Sequence, residues 1–269
     1  MRKPLRIILL SILALLIAFP LFYLCSLSLF SPKDFLENKA LFFPSKPNWD
    51  NFIKALGYRY LPVQLMNSIA TATLAAIIRT AVITLAAFSF THLKFKGRKA
   101  FLIGLCATLF VPQDALLYQN YRTIVSLNLI DTYLGIIAPM LFSASQMLLL
   151  IGAFSHLDRD YFDTARIDGA SDGLYIMRIL LPLSQSVVIT IILQSFIGCF
   201  NAYLWPLLVT NRPKTRTIQI GLTMLGFADE GNYGSEMAST LLVVLPFVIL
   251  IAFCKKWIEK ALINSSMHT

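Results

Sequence analysis

The sequence predicts an all-α membrane protein with six transmembrane helices, and three observations lead to that fold class. Hydrophobic residues make up 57% of the 269 residues and charged residues 14%, whereas a soluble domain has roughly 25% charged residues. Apolar stretches close to the roughly 20 residues that cross a hydrocarbon core recur along the chain, and the mean hydropathy is +0.69. A polar segment with helix signals lies between the fourth and fifth stretches. We therefore predict one membrane domain over residues 1–269, with a cytoplasmic helix-turn-helix in that polar segment.

The six predicted spans follow the apolar stretches in chain order. They cover approximately residues 7–29, 67–91, 100–118, 134–154, 180–200 and 237–254. The first span resembles a lipoprotein signal because basic residues precede it and Cys25 lies near its end. Bulky Leu24 before that cysteine and the length of the apolar run favour an uncleaved span.

Two external connections have distinct features. Residues 31–66 contain four prolines, which exclude one long helix, and their aromatic residues suit a membrane-water boundary. Apolar residues recur at helical spacing in residues 114–133, which predicts a short amphipathic helix at the outer interface. Between these connections, Asn67 and Ser68 offer side-chain oxygens that can cap the second span.

The basic residues predict the orientation of the chain. Short connections rich in Lys and Arg mark the cytoplasmic side of a membrane protein. Thirteen of the 23 basic residues lie near the termini and in the second and fourth connections: Arg2, Lys3, Arg6, Lys94, Lys96, Arg98, Lys99, Arg159, Arg166, Arg178, Lys255, Lys256 and Lys260. Both termini are therefore predicted to be cytoplasmic. The net charge of +9 reflects membrane topology and not a nucleic-acid surface.

The polar segment, residues 155–184, has the signals of two short helices. Ser155 and Asp158 can start the first helix, and Gly169 can end it in the left-handed conformation. Ser171 can cap the next helix, which we expect to continue into the fifth span. On the first helix, small Ala165 would permit close approach of another surface, and the neighbouring charges could pair across an interface.

The spacing in this segment resembles a family signature. Asp163-Thr164-Ala165 is followed after three residues by Gly169, after nine more by Ile179, and then by Leu181-Pro182. ATP-binding-cassette importer permeases have Glu-Ala-Ala, glycine, isoleucine and Leu-Pro at this spacing. The sequence ARIDGAS is similar to that of carbohydrate importers, especially the maltose-type permease with six spans. Further segments that resemble the family are Asn67-Ser68, LKFKGR (93–98), DTYLG (131–135), NAYLWPL (201–207) and RTIQIGL (216–222).

The resemblance implies how such a chain works. The family permease functions in the bacterial inner or plasma membrane with a second homologous permease, a cytoplasmic ATPase dimer and an external or periplasmic solute-binding protein. ATP and Mg²⁺ bind to the ATPase subunits, and the permease binds no cofactor. Residues 155–179 then form the coupling segment, and the coupling residues carried over from the motif are Asp163, Thr164, Ala165, Arg166, Asp168, Gly169, Ile179, Leu181 and Pro182.

The chain departs from the family pattern at three places. Asp163 replaces the usual glutamate and is one methylene shorter, and Thr164 replaces the first alanine. Residues 261–269 do not match the tail that reaches toward the ATPases in maltose-type permeases, so that contact is not expected here. Residues 226–234 correspond to a loop that reaches the solute-binding protein in maltose importers.

Three polar residues lie inside predicted spans. Arg79 is central in the second span, and Gln146 and Gln194 lie at similar expected depth in the fourth and fifth. A central arginine costs roughly 2.5 to 3.5 kcal/mol on insertion scales, so it should face protein or water. The three residues either line a substrate pathway or hold helices and the partner permease together.

Other functions leave different signatures. The chain has no phosphate-binding glycine loop, nucleophile-base arrangement or metal spacing, and its four cysteines lie in different apolar segments. A secondary transporter would favour inverted repeats and acidic residues inside spans, neither of which is present in the sequence. The same importer machinery for a glycerol-phosphate-type solute remains an alternative cargo class.

Overall fold

The computed structural model describes residues 3–37, 42–228, 233–246 and 248, and within those ranges the chain is helical without a strand. The predicted all-α class is confirmed. The helices are α1 (Lys3–Leu27), α2 (Pro32–Leu36), α3 (Asp50–Gly57), α4 (Leu61–His92), α5 (Arg98–Thr108), α6 (Leu117–Ser126), α7 (Tyr133–Ile137), α8 (Ala144–Ser155), α9 (Asp160–Ile167), α10 (Asp172–Tyr175), α11 (Leu181–Leu183), α12 (Gln185–Phe200), α13 (Leu204–Val209) and α14 (Ile218–Ala228), followed by helical residues 233–246. Short 3₁₀ segments at Gln113–Leu116 and Ala138–Met140 precede α6 and α8, and a π-helical turn at Ile176–Leu180 joins α10 to α11.

The helices form two compact units. The first contains the described residues of Met1–Leu65 and Ile220–Thr269. In this unit, the buried Asn51 amide donates to the carbonyls of Ser28 (2.9 Å) and Phe30 (2.8 Å), and so ties α3 to the segment that follows α1. A Cβ at Gly234 would lie 2.4 Å from the Asn51 Nδ2 atom, so glycine permits this close approach.

The second unit, Met66–Gln219, contains the motif segment and is built around two apolar cores. One core includes Ile83 and Phe88 of α4, together with residues of α8, α9 and α12. The other surrounds Trp205, whose indole Nε1 donates to the carbonyls of Gly135 (3.2 Å) and Ile136 (3.0 Å). Because a buried indole N–H requires an acceptor, these bonds fix α13 against α7.

Two described helices are individually long and apolar enough to cross a membrane, namely Ile7–Leu27 and Leu61–His92. They overlap the first two predicted spans, but α4 begins at Leu61, so Asn67 and Ser68 lie inside the helix and the prediction that they cap it is wrong. Two more candidates are bent pairs, Tyr133–Met140 with Ala144–Ser155 at 57° and Asp172–Leu183 with Gln185–Phe200 at 90°. The number of spans by this criterion is therefore two to four in the described part of the chain, and the count of six stays a prediction.

The remaining predicted spans differ from single straight helices for local reasons. The helix expected over 100–118 ends at Thr108, before Pro112, which cannot donate a helical hydrogen bond. The helix expected over 134–154 is interrupted after Met140, next to Pro139. The helix expected to continue from Ser171 into the fifth span turns at Ser184, so Leu181 and Pro182 precede the bend. For 237–254, residues 247 and 249–254 lie outside the described residues.

Candidate functional site

The first half of the motif forms a helix that ends at a left-handed glycine. Gly169 has φ +78°, and the Ala170 N–H donates to the Ala165 carbonyl (2.9 Å). This geometry caps the C-terminus of α9, as expected for glycine. The Ser171 hydroxyl then accepts from the Leu174 N–H (3.3 Å) and starts α10. The two helices therefore meet at a corner whose geometry is set by local residues.

One face of α9 is buried within the chain. Phe162 and Ala165 lie three residues apart on this face and belong to the core that contains Phe88 and Tyr175. The close approach that we expected Ala165 to permit is thus made to the chain's own core in this structure. The larger side chain of Phe162 fills the space beside it.

The opposite face of α9 is exposed and carries most of the motif residues. Asp163, Thr164, Arg166 and Asp168 are exposed, and so is Ile167, whose relative exposure is 86%. Ile167 is not a residue of the sequence motif. Its position two residues after Ala165 places it about 200° around the helix from the buried face, which is the signal that could have identified it.

An ion pair between Arg166 and Asp172 spans the corner on its exposed side. The Arg166 guanidinium lies 3.8 Å from the Asp172 carboxylate. The Cζ atom of Arg166 lies 5.1 Å from the centre of the Phe162 ring. Both charged side chains are at least two-fifths exposed, so solvent screens the pair. The predicted pairing of charges with another subunit therefore starts from an arginine that already has a weak internal partner.

The second half of the motif supports the corner from inside. Ile179 and Leu181 pack against the core that holds α9, whereas Pro182 is exposed. At the bend that follows, the Ser184 hydroxyl is buried and has no hydrogen-bond partner among the described residues. These residues fix the position of α9 and the direction of α12.

An aromatic cluster, made of Phe88, His92, Phe162 and Tyr175, joins this corner to the end of α4. The His92 ring is stacked on Phe88 with centroids 5.0 Å apart, and it meets Phe162 and Tyr175 edge-on at 5.0 and 5.4 Å. The Tyr175 hydroxyl is 3.2 Å from His92 Nε2. Sequence reasoning missed this cluster because His92 and Tyr175 are 83 residues apart and have no shared motif.

A polar hub, made of Asn67, Ser68, Asp131, Tyr133 and Thr215, lies at the other end of α4 in the same unit. Within it, the Asp131 carboxylate accepts from the backbone N–H groups of Asn211 (2.8 Å) and Arg212 (3.0 Å) and from the Thr215 hydroxyl (2.6 Å). Partial burial raises the pKa of the Asp131 carboxyl. The hydrogen bonds and the nearby Arg212 charge lower it further than burial raises it, so the pKa lies below its ordinary value. Asp131 itself has φ +59°, a conformation that aspartate tolerates.

The rest of the polar hub attaches α4 to the same loop. The Asn67 amide donates to the carbonyls of Lys214 (2.8 Å) and Arg216 (3.0 Å), while its oxygen accepts from the Tyr133 hydroxyl (2.7 Å). The Ser68 hydroxyl accepts from the Ile218 N–H (2.8 Å), which lies at the start of α14. Three of the short family-like segments, Asn67-Ser68, DTYLG and RTIQIGL, therefore meet in one hydrogen-bonded site.

The three polar residues predicted inside spans make two separate sets of contacts. The Arg79 Nε donates to the Met140 carbonyl at the break before α8. The Gln146 amide donates to the Gln194 oxygen (3.5 Å), and the Ser195 hydroxyl donates to the Gln146 oxygen (3.1 Å). Gln146 is buried and Gln194 exposed, so this second set connects the inside of the unit to its surface.

A cavity of about 660 Å³ lies beside the break that Arg79 contacts. Met140 lines the cavity, and so do polar side chains from α5, α6, α8 and the segments beside these helices. Its polar lining residues include Thr108, Asp114, Asn120, Ser143, Ser145 and Tyr203. These groups offer hydroxyl, amide and carboxylate atoms that can exchange hydrogen bonds with a polyhydroxylated solute.

Known proteins match this chain over most of its length. A family model described as "Binding-protein-dependent transport system inner membrane component" matches residues 1–264. The sn-glycerol-3-phosphate transport system permease protein UgpE of Agrobacterium fabrum is 30% identical over 260 residues, which are 93% of this chain and 92% of that protein. The trehalose/maltose transport system permease protein MalG of Thermococcus litoralis is 28% identical over 256 residues, covering 93% and 91%.

A solved structure has the same fold. It is described as a bacterial ABC transporter involved in the import of the acidic polysaccharide alginate. The chain compared is 20% identical, the match covers 94% of this chain and 95% of that one, and the TM-score is 0.79. The overall fold of this chain has therefore already been seen in a solved transporter structure.

Proposed function

Because the chain belongs to the family of binding-protein-dependent transport system inner membrane components, we propose that it is the permease subunit of an ATP-binding-cassette importer for a carbohydrate. It is a transport subunit and not an enzyme, since ATP is hydrolysed by a separate subunit in such systems. The observation that carries the proposal is the family match across residues 1–264. Within that range, α9 has one face packed on the chain's own core and the other face exposed.

The exposed face of α9 is the proposed coupling surface. Asp163, Thr164, Arg166 and Asp168 present charge and hydrogen-bonding groups there, and Ile167 adds an apolar side chain that an ATPase groove would cover. Ala165, Gly169, Ile179 and Leu181 act indirectly by holding α9 in place, and Pro182 precedes the bend into α12. A fixed helix passes on a rigid-body displacement, which a flexible loop would absorb.

The proposed assembly contains a second homologous permease, two cytoplasmic ATPase subunits that bind ATP and Mg²⁺, and a solute-binding protein on the outer side. The chain lies in the bacterial inner or plasma membrane with six spans and both termini in the cytoplasm. Closure of the ATPase dimer would displace α9 and convert an inward-open pathway into an outward-open one. The long apolar helices α1 and α4 support the proposed location in the membrane.

The coupling surface is tested by reversing one charge. We expect Asp163→Lys to abolish co-purification of the ATPase, because a basic partner residue would meet a like charge. Asp163→Glu, which restores the usual family residue, should retain it. Asp160→Lys is the matched control on the first turn of the same helix. Retention of the ATPase by Asp163→Lys would contradict the assignment of this face.

The cargo pathway is proposed to include Arg79, Gln146 and Gln194 together with the cavity beside Met140. Arg79 reaches the cavity only through the Met140 carbonyl, and Gln194 is the exposed member of its pair. A neutral carbohydrate suits the polar side chains in the otherwise mostly apolar cavity. A glycerol-phosphate-type solute is the second candidate because UgpE proteins are among the relatives. Arg79→Leu with normal assembly and normal uptake would remove Arg79 from the pathway.

Two experiments test the function itself. In proteoliposomes, we expect uptake only when the chain is assembled with the second permease, the ATPase and the solute-binding protein, and ATP hydrolysis should rise when the binding protein is added. Transport by the chain alone would contradict the proposal. A binding screen of the solute-binding protein against sugars and sugar phosphates decides the cargo class.

A further inference from the structure

The aromatic cluster is the place where both helices of the α9 corner contact α4. Phe162 comes from α9 and Tyr175 from α10, and the two rings lie 5.0 Å apart. Both meet the same His92 ring, which is only 8% exposed and is the last residue of α4. A displacement of the corner therefore cannot occur without either moving His92 or breaking these contacts.

Hydrogen bonds orient the His92 ring within the cluster. Its Nδ1 lies 2.7 Å from the Thr91 hydroxyl, and its Nε2 lies 3.2 Å from the Tyr175 hydroxyl. The Thr91 hydroxyl donates its proton to the Ala87 carbonyl (2.8 Å), so it accepts from the Nδ1–H of His92, and Nε2 then accepts from the Tyr175 hydroxyl. The Tyr175 side chain is 2% exposed, so its hydroxyl has little access to water as an alternative partner.

The opposite end of this connection reaches the candidate pathway. α4 is continuous from His92 back to Arg79, a distance of about 20 Å along a straight helix. Arg79 donates to the Met140 carbonyl, and Met140 lines the cavity at the 57° break between α7 and α8. One rigid helix thus joins the aromatic cluster to a bent pair of helices.

We infer that His92 and Tyr175 are positioning residues that transmit movement of the α9 corner to α4 and so to the cavity beside Met140. The inference rests on the proposed function, because it requires an ATPase that displaces α9. It goes beyond the family motif, since neither residue belongs to the motif and both lie outside the exposed face of α9. Through the hydrogen-bonded rings, a displacement of the corner is passed on to α4.

The decisive variants remove hydrogen bonds and keep the rings. Tyr175→Phe deletes only the hydroxyl, and His92→Phe keeps an aromatic ring beside Phe88 while it deletes both bonds. Tyr118→Phe on the exposed surface of α6 is the matched control. Each variant is purified as the full assembly and measured for ATPase retention, basal ATP hydrolysis, its stimulation by the solute-binding protein, and uptake per ATP hydrolysed.

We expect Tyr175→Phe and His92→Phe to retain the ATPase and basal hydrolysis. Stimulation and uptake per ATP should each fall about five-fold in Tyr175→Phe, the scale of one lost hydrogen bond, and further in His92→Phe, which loses two. Tyr118→Phe should match the unsubstituted chain. Unchanged stimulation and uptake would overturn the inference, and so would loss of the ATPase, which would indicate a purely structural role. If the unsubstituted chain retains no ATPase, the proposed function fails instead.

Discussion

The two ends of α4 make different kinds of contact. At Asn67 and Ser68, the polar hub holds α4 to a loop through hydrogen bonds, three of which reach backbone groups of residues 214–218. At His92, about 37 Å away along a straight helix, α4 meets aromatic rings from two short helices. Directional bonds to backbone fix a position, whereas packed rings permit small sliding movements between helices.

This difference assigns a separate task to each end. The polar hub uses a carboxylate with three hydrogen-bond donors, so displacement of the loop would leave partly buried polar groups unpaired. Among the residues that the structure describes, the aromatic cluster has two hydrogen bonds at the His92 ring and otherwise depends on apolar contact. We therefore expect the hub to behave as an anchor and the cluster to behave as a joint.

The largest effect is expected when the joint loses a ring. Phe162→Ala should destabilise the assembly by about 3 to 5 kcal/mol, because the ring is buried among three other rings and its removal leaves a cavity. Tyr161→Ala on the same helix removes an exposed ring and should cost much less. Thermal unfolding of the purified assemblies measures both, and equal losses would contradict the packing described for α9.

The anchor should show the next largest effect. Asp131→Ala removes the acceptor of three hydrogen bonds, two of them from the backbone, and should cost about 2 to 3 kcal/mol. Limited proteolysis after Lys214 should accelerate in parallel, since the loop loses its attachment. Asp131→Asn keeps an acceptor oxygen and tolerates the left-handed backbone, so its loss should be smaller. An intact loop in Asp131→Ala would remove this residue from the anchor.

The anchor should also lose stability in acid. Because the pKa of Asp131 is lower in the folded chain than its ordinary value of 3.8, ionisation favours folding above that value. This contribution disappears as the pH falls through the lower, folded pKa. The stability difference between the unsubstituted chain and Asp131→Asn should therefore be constant near neutral pH and shrink below about 3.8. A difference that grows with acid would have the wrong sign.

The smallest effect is expected at the exposed side of the corner. Asp172→Asn breaks the solvent-exposed pair with Arg166 and should change stability by less than about 1 kcal/mol. The same thermal unfolding experiment applies. A loss as large as that of Asp131→Ala would show that the ion pair holds the corner together, and the distinction between a buried joint and an exposed surface would then need revision.

Local chemistry explains how much of this could be predicted from sequence. Gly169 adopts the left-handed conformation and Ser171 caps the following helix, as their residue types predict. The first two apolar stretches form long helices, as their apolar length predicts. Membership of the transport family also followed from the spacing of the motif, and the family match confirms it.

Features that depend on tertiary contacts could not be predicted in this way. The pairing of His92 with Tyr175 joins residues 83 positions apart. The 90° bend at Ser184 interrupts a helix that the sequence predicts to be continuous. Arg79 has a similar expected depth to Gln146 in the sequence, and in the structure it donates to a carbonyl at a helix break. Hydropathy gives the depth of such a residue in a span and gives no information on its partner.

Hydrogen-deuterium exchange on the complete assembly follows the α9 corner and both ends of α4 in one experiment. We compare the nucleotide-free and ATP-bound states with the solute-binding protein present. We expect exchange in residues 160–183 and in residues 85–92 to change together, while residues 209–218 at the polar hub stay constant. A change in residues 160–183 with no change in residues 85–92 would contradict transmission through the aromatic cluster.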